Sequence, residues 1–240
     1  MTSFEAFVCS VADLTAEVRE IELELTAPSG ISFAAGQFIS FEVQAPEWPY
    51  PITRSYSIAS DPGERRRITL LLNLVTGGRM SPYLFGLRVG DPVTFRGPLG
   101  TFCLRPGGRD LLFVATGTGI APMRSMLHSL ASEKSARRIT LFWGLRSRAD
   151  LYYQAELAQL AERLPAFSHV TTLSRPDEAW EGSRGTVTPL VENRIATVSN
   201  LDAYVCGNEA MIKDVTAVLN RKGLCPVYRE QYYRDAVPAA

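Results

Sequence analysis

The chain has 240 residues, 46% apolar and 21% charged, which is enough apolar material for one large core or two modest ones and too much for a disordered chain. Lys and Arg number 25, as do Asp and Glu. The zero net charge argues against a nucleic-acid binder that works by neutralising phosphates, although a local basic patch stays open.

In chain order, residues 4–105 read as strands and turns. Extended segments are predicted over 4–14, 17–26, 38–43, 54–60, 67–73 and 92–96. In the second, Val18, Ile21, Leu23 and Leu25 are apolar among charged neighbours, and the break at Glu20-Ile21 predicts a bulge. The turn formers Asp61-Pro62-Gly63, Gly77-Gly78 and Gly90-Asp91 separate the later segments. Six short strands so spaced predict a closed antiparallel barrel. One short helix is predicted over 81–87, with Ser81 as N-cap and Pro82 at its first position.

Pro106-Gly107-Gly108 marks a boundary, which divides the chain into domains 1–106 and 107–240. Beyond it, strands at 111–115, 139–143, 168–173, 201–206 and 227–232 alternate with helices at 122–132, from the cap Asp150 to Arg163, at 188–196, and from the cap Asn208 to Lys222. Connections of that length predict a parallel sheet covered on both faces, hence a C-terminal α/β fold.

Neither end of the sequence nor its cysteines point elsewhere. Met1-Thr2-Ser3-Phe4-Glu5 carries no leader pattern, and the longest apolar runs, 68–72 and 111–115, fall far short of the ~20 residues of a spanning helix. Cys9, Cys103, Cys206 and Cys225 are scattered, which predicts free thiols in a cytoplasmic protein and no zinc or iron–sulfur site. His128 and His169 are expected to pack rather than to act.

Ligands bind at the carboxyl edge of a parallel sheet, and two glycine-bearing turns fall there. Gly117-Thr118-Gly119-Ile120-Ala121-Pro122 links a strand to a helix, with Pro122 where the usual dinucleotide fingerprint has its third glycine. Cys206-Gly207-Asn208 follows another strand. Read alone, each also serves as a turn with no ligand. In the first half, Arg54-Ser55-Tyr56-Ser57 sets Arg54 and Tyr56 on one side of a strand, and Gly78-Arg79-Met80-Ser81 opens a helix whose amides can hold a pyrophosphate. The bland alternatives are a solvated arginine and a rim aromatic.

Together with Gly97-Pro98-Leu99-Gly100 and the terminal Glu230-Gln231-Tyr232, these motifs stand in an order that resembles the ferredoxin–NADP reductase superfamily over nearly the whole length. Trp143-Gly144-Leu145-Arg146, Asp150-Leu151-Tyr152-Tyr153 and 180–185 are similar to reductase components of bacterial oxygenases. The resemblance implies a flavin-binding barrel followed by a pyridine-nucleotide domain. It implies FAD held by Arg54, Tyr56, Ser57, the backbone of Leu72, Asn73, Leu74 and Val75, and Gly78, Arg79, Met80 and Ser81. It implies NADPH or NADH at Gly117, Thr118, Gly119, Arg146, Arg175, Cys206 and Gly207, with Arg175 leaning the choice toward NADPH; Thr186 departs from a second arginine of some NADPH-using relatives, for which Arg184 would substitute unless it only faces solvent. Ser57, Cys206 and Glu230 would stand near the reacting atoms, and Tyr232 would cover the flavin. Hydride transfer between stacked rings asks the protein chiefly for positioning. The implied partner is a separate ferredoxin, flavodoxin or oxygenase component, met by Arg79 and Arg65–Arg67 unless those arginines only serve local salt bridges. An NADH-dependent oxygenase reductase is the alternative activity, a flavin-bearing regulatory module without turnover the non-enzyme one. A monomer is expected.

Overall fold

The computed structural model describes residues 2–44 and 48–232. They fall into two compact units: one runs up to Leu104 and takes in Arg124–Ser129, the other comprises Arg105–Met123 and the chain from Leu130 on.

The first unit is an antiparallel sheet of β1 (Thr2–Asp13), β2 (Val18–Ala27), β3 (Phe38–Val43), β4 (Ile52–Ser57), β5 (Arg67–Asn73) and β6 (Pro92–Leu99), in the order β4-β3-β6-β1-β2-β5. It closes into a barrel through little more than the Ile58–Leu70 bridge and the Ala59 amide, which donates to Thr69 at 2.8 Å. Alternation drives it: Ile21, Leu23 and Leu25 of β2 face a core shared with Val8, Ile39, Phe41, Ile68, Leu70 and Phe95, while Glu20, Glu22 and Glu24 stay partly exposed. Met80 and Leu84 of α1 (Met80–Phe85) pack into the same core.

Two local expectations need correction. The β1–β2 ladder shifts register twice: Thr26 of β2 is the extra residue opposite the Glu5–Ala6 step, and Cys9 of β1 is the extra residue between Val8 and Ser10. β2 pairs with β5 without interruption from Val18 to Glu24, so the Glu20-Ile21 step is regular. Val18 breaks the alternation because it is buried at the strand's start, where its carbonyl accepts from Leu14 and Thr15. Nor is Ser81 an N-cap. Arg79 holds that position without a side-chain cap, and the Ser81 hydroxyl instead accepts from the Val75 amide at 2.9 Å.

The second unit is a parallel sheet of β7 (Asp110–Thr116), β8 (Ile139–Leu145), β9 (Phe167–Leu173), the two-residue β10 (Ser183–Arg184), β11 (Leu201–Gly207) and β12 (Val227–Gln231), in the order β10-β9-β8-β7-β11-β12. β7 and β11 are buried almost end to end, as central parallel strands are. Helices α2 (Ile120–Ser132), α3 (Gln154–Arg163), α4 (Val187–Arg194) and α5 (Glu209–Lys222) connect them. Val187 and Val191 of α4 and Met211, Val215 and Leu219 of α5 share one core with Leu112, Val114 and Val205. The crossovers through α2 and α3 run in the opposite direction along the sheet, so right-handedness puts those helices on the other face.

Asn208 caps α5 as expected, its side-chain oxygen accepting from the Met211 amide. Asp150 does not cap α3. It closes a capping box with Ser147 around the single turn 148–150, and α3 starts at Tyr153, which takes the left-handed region at φ 56°. β10 has no alternation to read, because two residues carry no period.

Candidate functional site

In the parallel unit the winding direction changes at β7, which has β8 on one side and β11 on the other. That switch point opens a crevice at the carboxyl ends of β7 and β11, and the two glycine turns meet there. After β7 the chain makes one tight turn over Gly117–Gly119. Gly119 lies so close to β11 that an added Cβ would run into the Cys206 carbonyl. Gly207, at φ +147°, lies equally close to Thr116. Thr116 Oγ1 accepts from the Asn208 side-chain amide at 3.3 Å and its backbone amide at 3.4 Å. Sequence reasoning missed Thr116, whose one signal is a hydroxyl at the end of an apolar strand, just before the glycines. Gly117, at φ +52°, has open space where a side chain would stand. These are the backbone features that admit an anionic group close to a helix start.

Cys206, Glu230 and Tyr232 gather at the same edge. Cys206 pairs in register with Glu230, so both side chains project to one face, and the Tyr232 amide donates to Gly207 at 3.1 Å. Cys206 is fully buried. Burial holds its thiol well above the ordinary range, Glu230 adds to the rise, and a hydrogen bond with Tyr232 opposes it. The thiol is therefore neutral near pH 7 and fills space rather than attacking.

Arg146 and Arg175 stand farther along the edge, after β8 and β9. Their backbones are joined by the Arg175 amide, which donates to the Arg146 carbonyl at 2.7 Å. Both side chains are exposed, without a hydrogen bond or ion pair among the described residues. Arg184 is not equivalent to them: its guanidinium donates to the carbonyls of Asp177, Glu178 and Trp180.

The barrel unit brings its own set together. Tyr56 ends a ladder of rings across four neighbouring strands. Phe4 stacks on Phe95 at 5.2 Å, Phe95 meets Phe41 edge-on at 6.2 Å, and Phe41 meets Tyr56 edge-on at 5.8 Å. The ladder fixes Tyr56 half-buried at the sheet's edge, with Arg54 exposed and Ser57 buried along the same strand. Continued from the Ile58–Leu70 bridge, the antiparallel register sets Tyr56 opposite Leu72 and Arg54 opposite Leu74, where β4 and β5 no longer pair. Leu72 is wholly buried. Beyond it, Asn73 donates its side-chain amide to the Leu74 carbonyl, and the Gly78 amide closes a turn onto Val75. Ser81 ties that turn to α1, next to buried Met80 and exposed Arg79. No side chain caps α1, so its first turn presents the amides of Met80 and Ser81, Pro82 having none.

The arginine run divides. Arg67 pairs with Glu24 at 3.0 Å and Glu22 at 3.6 Å, and Arg66 with Glu24 at 3.7 Å. These side chains serve the hairpin, while Arg65 and Arg79 hold no ion pair among the described residues. Among those residues no cluster of three or more His, Cys, Asp or Glu is placed to hold a metal, and no helix is long and apolar enough to cross a membrane.

Two domain families match the chain: an oxidoreductase FAD-binding domain over residues 5–103 and an oxidoreductase NAD-binding domain over residues 113–217. The toluate 1,2-dioxygenase electron transfer component of Pseudomonas putida is 30% identical over 238 residues, 97% of this chain and 68% of that protein. Ferredoxin–NADP reductase B of Sorangium cellulosum is 35% identical over 216 residues, 87% of this chain and 88% of that protein. Among solved structures, an Amycolatopsis cytochrome P450 reductase superposes with a TM-score of 0.88 at 28% identity, over 96% of this chain and 69% of that one.

Proposed function

Because the chain belongs to the ferredoxin–NADP reductase superfamily and is a FAD-dependent NAD(P)H oxidoreductase that passes electrons to a one-electron acceptor, we propose that its acceptor is a separate ferredoxin or flavodoxin. The likeness to ferredoxin–NADP reductase B, which extends over 88% of that protein's length, supports this acceptor class. The toluate dioxygenase component supports a second reading, an NADH-dependent reductase serving an oxygenase. We assign FAD to residues 1–106 and the coenzyme to 107–240.

When bound, FAD would supply the redox chemistry that couples a two-electron donor to a one-electron acceptor. The chain's own residues bind and orient. The observation that carries the coenzyme site is the Gly119–Cys206 approach at the β7/β11 switch point. It leaves Gly117, Thr118, Gly119 and Gly207 as a backbone cradle. Cys206 gives that cradle a neutral wall, and Glu230 and Tyr232 bound it from β12 and just beyond. Arg146 and Arg175 supply cations for a 2′-phosphate, which favours NADPH. In the barrel, Tyr56 offers a ring face, Arg54 and Arg79 offer charge, and the 72–81 segment offers backbone groups, Met80 and the Ser81-pinned turn among them. Ser57 provides a hydroxyl at the end of β4.

The test is anaerobic reduction of the FAD-loaded protein by NADPH and by NADH, followed by re-oxidation with a ferredoxin, a flavodoxin or an oxygenase component. Bleaching by either coenzyme and single-electron re-oxidation by a ferredoxin or flavodoxin is the expected result. Re-oxidation by the oxygenase component alone selects the second reading. Purified protein that takes up no flavin on reconstitution overturns both.

A further inference from the structure

Trp143 lies in β8 directly beside Ala115 of β7 and has no exposed surface. Residues paired across parallel strands project to the same face, and the small Ala115 side chain leaves the indole room to reach the turn that follows β7. Its Nε1–H donates to the Gly117 carbonyl at 3.0 Å. The same carbonyl accepts from the Ile120 amide, so both of its lone pairs are engaged. Tyr152 meets the indole edge-on at 4.8 Å, and Tyr153 meets Tyr152 at 5.1 Å. The Tyr152 hydroxyl has no partner among the described residues. Between the buried side chains of Trp143 and Tyr152, the polar link among the described residues is therefore the indole's, and it ends on the glycine turn.

The peptide unit is planar and trans. Its C=O and N–H lie in that plane and point in opposite directions, so a carbonyl held toward one partner aims the following N–H the other way. With the Gly117 oxygen fixed toward Trp143, the Thr118 amide is aimed away from it, and this amide has no acceptor among the described residues. Gly117 is the residue least able to hold such a plane unaided, since a glycine at φ +52° has no Cβ to resist a peptide flip. We propose that Trp143 is a positioning residue for the coenzyme: its indole N–H locks the Gly117–Thr118 peptide so that the Thr118 amide presents itself to an anionic group of NAD(P)H. The proposal rests on the 117–119 turn being the coenzyme site.

The decisive variant replaces Trp143 by 3-benzothienylalanine, which exchanges the N–H for sulfur and keeps the ring shape; Trp143→Phe is its genetic counterpart. Both are made in FAD-loaded protein. Binding of NADP+ and NAD+ is read by isothermal titration calorimetry, and turnover with ferricyanide gives KM and kcat separately. Loss of one hydrogen bond predicts dissociation constants and KM about five- to tenfold higher. Flavin content should be unchanged for the benzothienyl protein, its melting temperature should fall by no more than a few degrees for the one buried hydrogen bond removed, and kcat should move by less than about twofold. Trp143→Phe should show the same split with a lower melting temperature, because it also leaves a cavity. A benzothienyl protein with parental dissociation constants and KM overturns the proposal alone, as does a fall in kcat with KM untouched. The underlying reading has its own probe in Gly119→Ala, whose methyl would enter the Cys206 backbone. Undiminished coenzyme binding by that variant would remove the turn from the coenzyme site altogether.

Discussion

Arg175 is a side chain with nothing to do in the fold. It is exposed, holds no partner among the described residues, and is fixed only through its backbone to Arg146. Such a residue can be changed with little effect on stability, within about 0.5 kcal/mol, while a guanidinium–phosphate contact contributes about 1.5–3 kcal/mol. Arg175→Glu should therefore raise KM for NADPH about ten- to a hundredfold and raise KM for NADH far less, with an unchanged melting temperature. Equal effects on the two coenzymes would refute the assignment to the 2′-phosphate. Sequence reasoning found Arg146 because it directly follows an apolar strand, and Arg175, separated by Ser174 from the end of the next, because the family resemblance puts a phosphate-binding arginine there. It also admitted Arg184 as a substitute, and the reason it does not qualify lies beyond any local pattern: only the folded loop brings the carbonyls of Asp177, Glu178 and Trp180 to one guanidinium.

Elements were readable where a period ran long enough. β3 and β5 fall on the predicted residues because short β-prone runs there follow turn formers, and α5 because Asn208 is a strong cap. Cap chemistry misled where two partners compete for one side chain: Ser81 is taken by Val75, and Asp150 by Ser147. A second feature hidden from the sequence is how β11 is tied to its neighbours. Asp202 is almost wholly buried and pairs with Arg137 at 3.2 Å and Arg109 at 3.0 Å, and Arg137 also donates to the carbonyls of Arg105 and Arg109. Replacing one member of a buried ionic cluster strands the others. Asp202→Asn should destabilise the protein by about 3–5 kcal/mol, seen as a lower urea midpoint. A change below about 1 kcal/mol would show that the cluster is solvated and that the tie lies elsewhere.

Across the whole molecule, several groups are kept neutral by burial, and they set the pH range of stability. The Tyr204 hydroxyl is pushed up to about 12 from 10.0, chiefly by burial, with the Arg105 amide opposing. Burial drives the Tyr152 hydroxyl further still and raises the Cys206 thiol. Folded-state values above the unfolded ones mean that the unfolded chain releases protons first, so this stability is complete below the unfolded values and is lost as pH climbs through 10 toward 12. His169 is lowered from 6.5 by burial. The unfolded chain takes up its proton more readily, and that contribution is lost as pH falls below 6.5. The urea midpoint should peak between about pH 7 and 9 and decline on both sides. Tyr152→Phe should soften the alkaline decline and cost nothing at neutral pH, because the hydroxyl it removes has no hydrogen-bond partner. A midpoint flat from pH 8 to 11 would contradict this account.

The placement of Arg146 and Arg175 has a consequence for the protein's descent. Both arginines are exposed and hold no ion pair among the described residues. If they select the coenzyme as proposed, a lineage can exchange one coenzyme for the other through a pair of surface codons without disturbing the strands that hold the parallel unit together. Coenzyme habit, in such an architecture, is expected to drift between close cousins faster than anything in the barrel or the sheet.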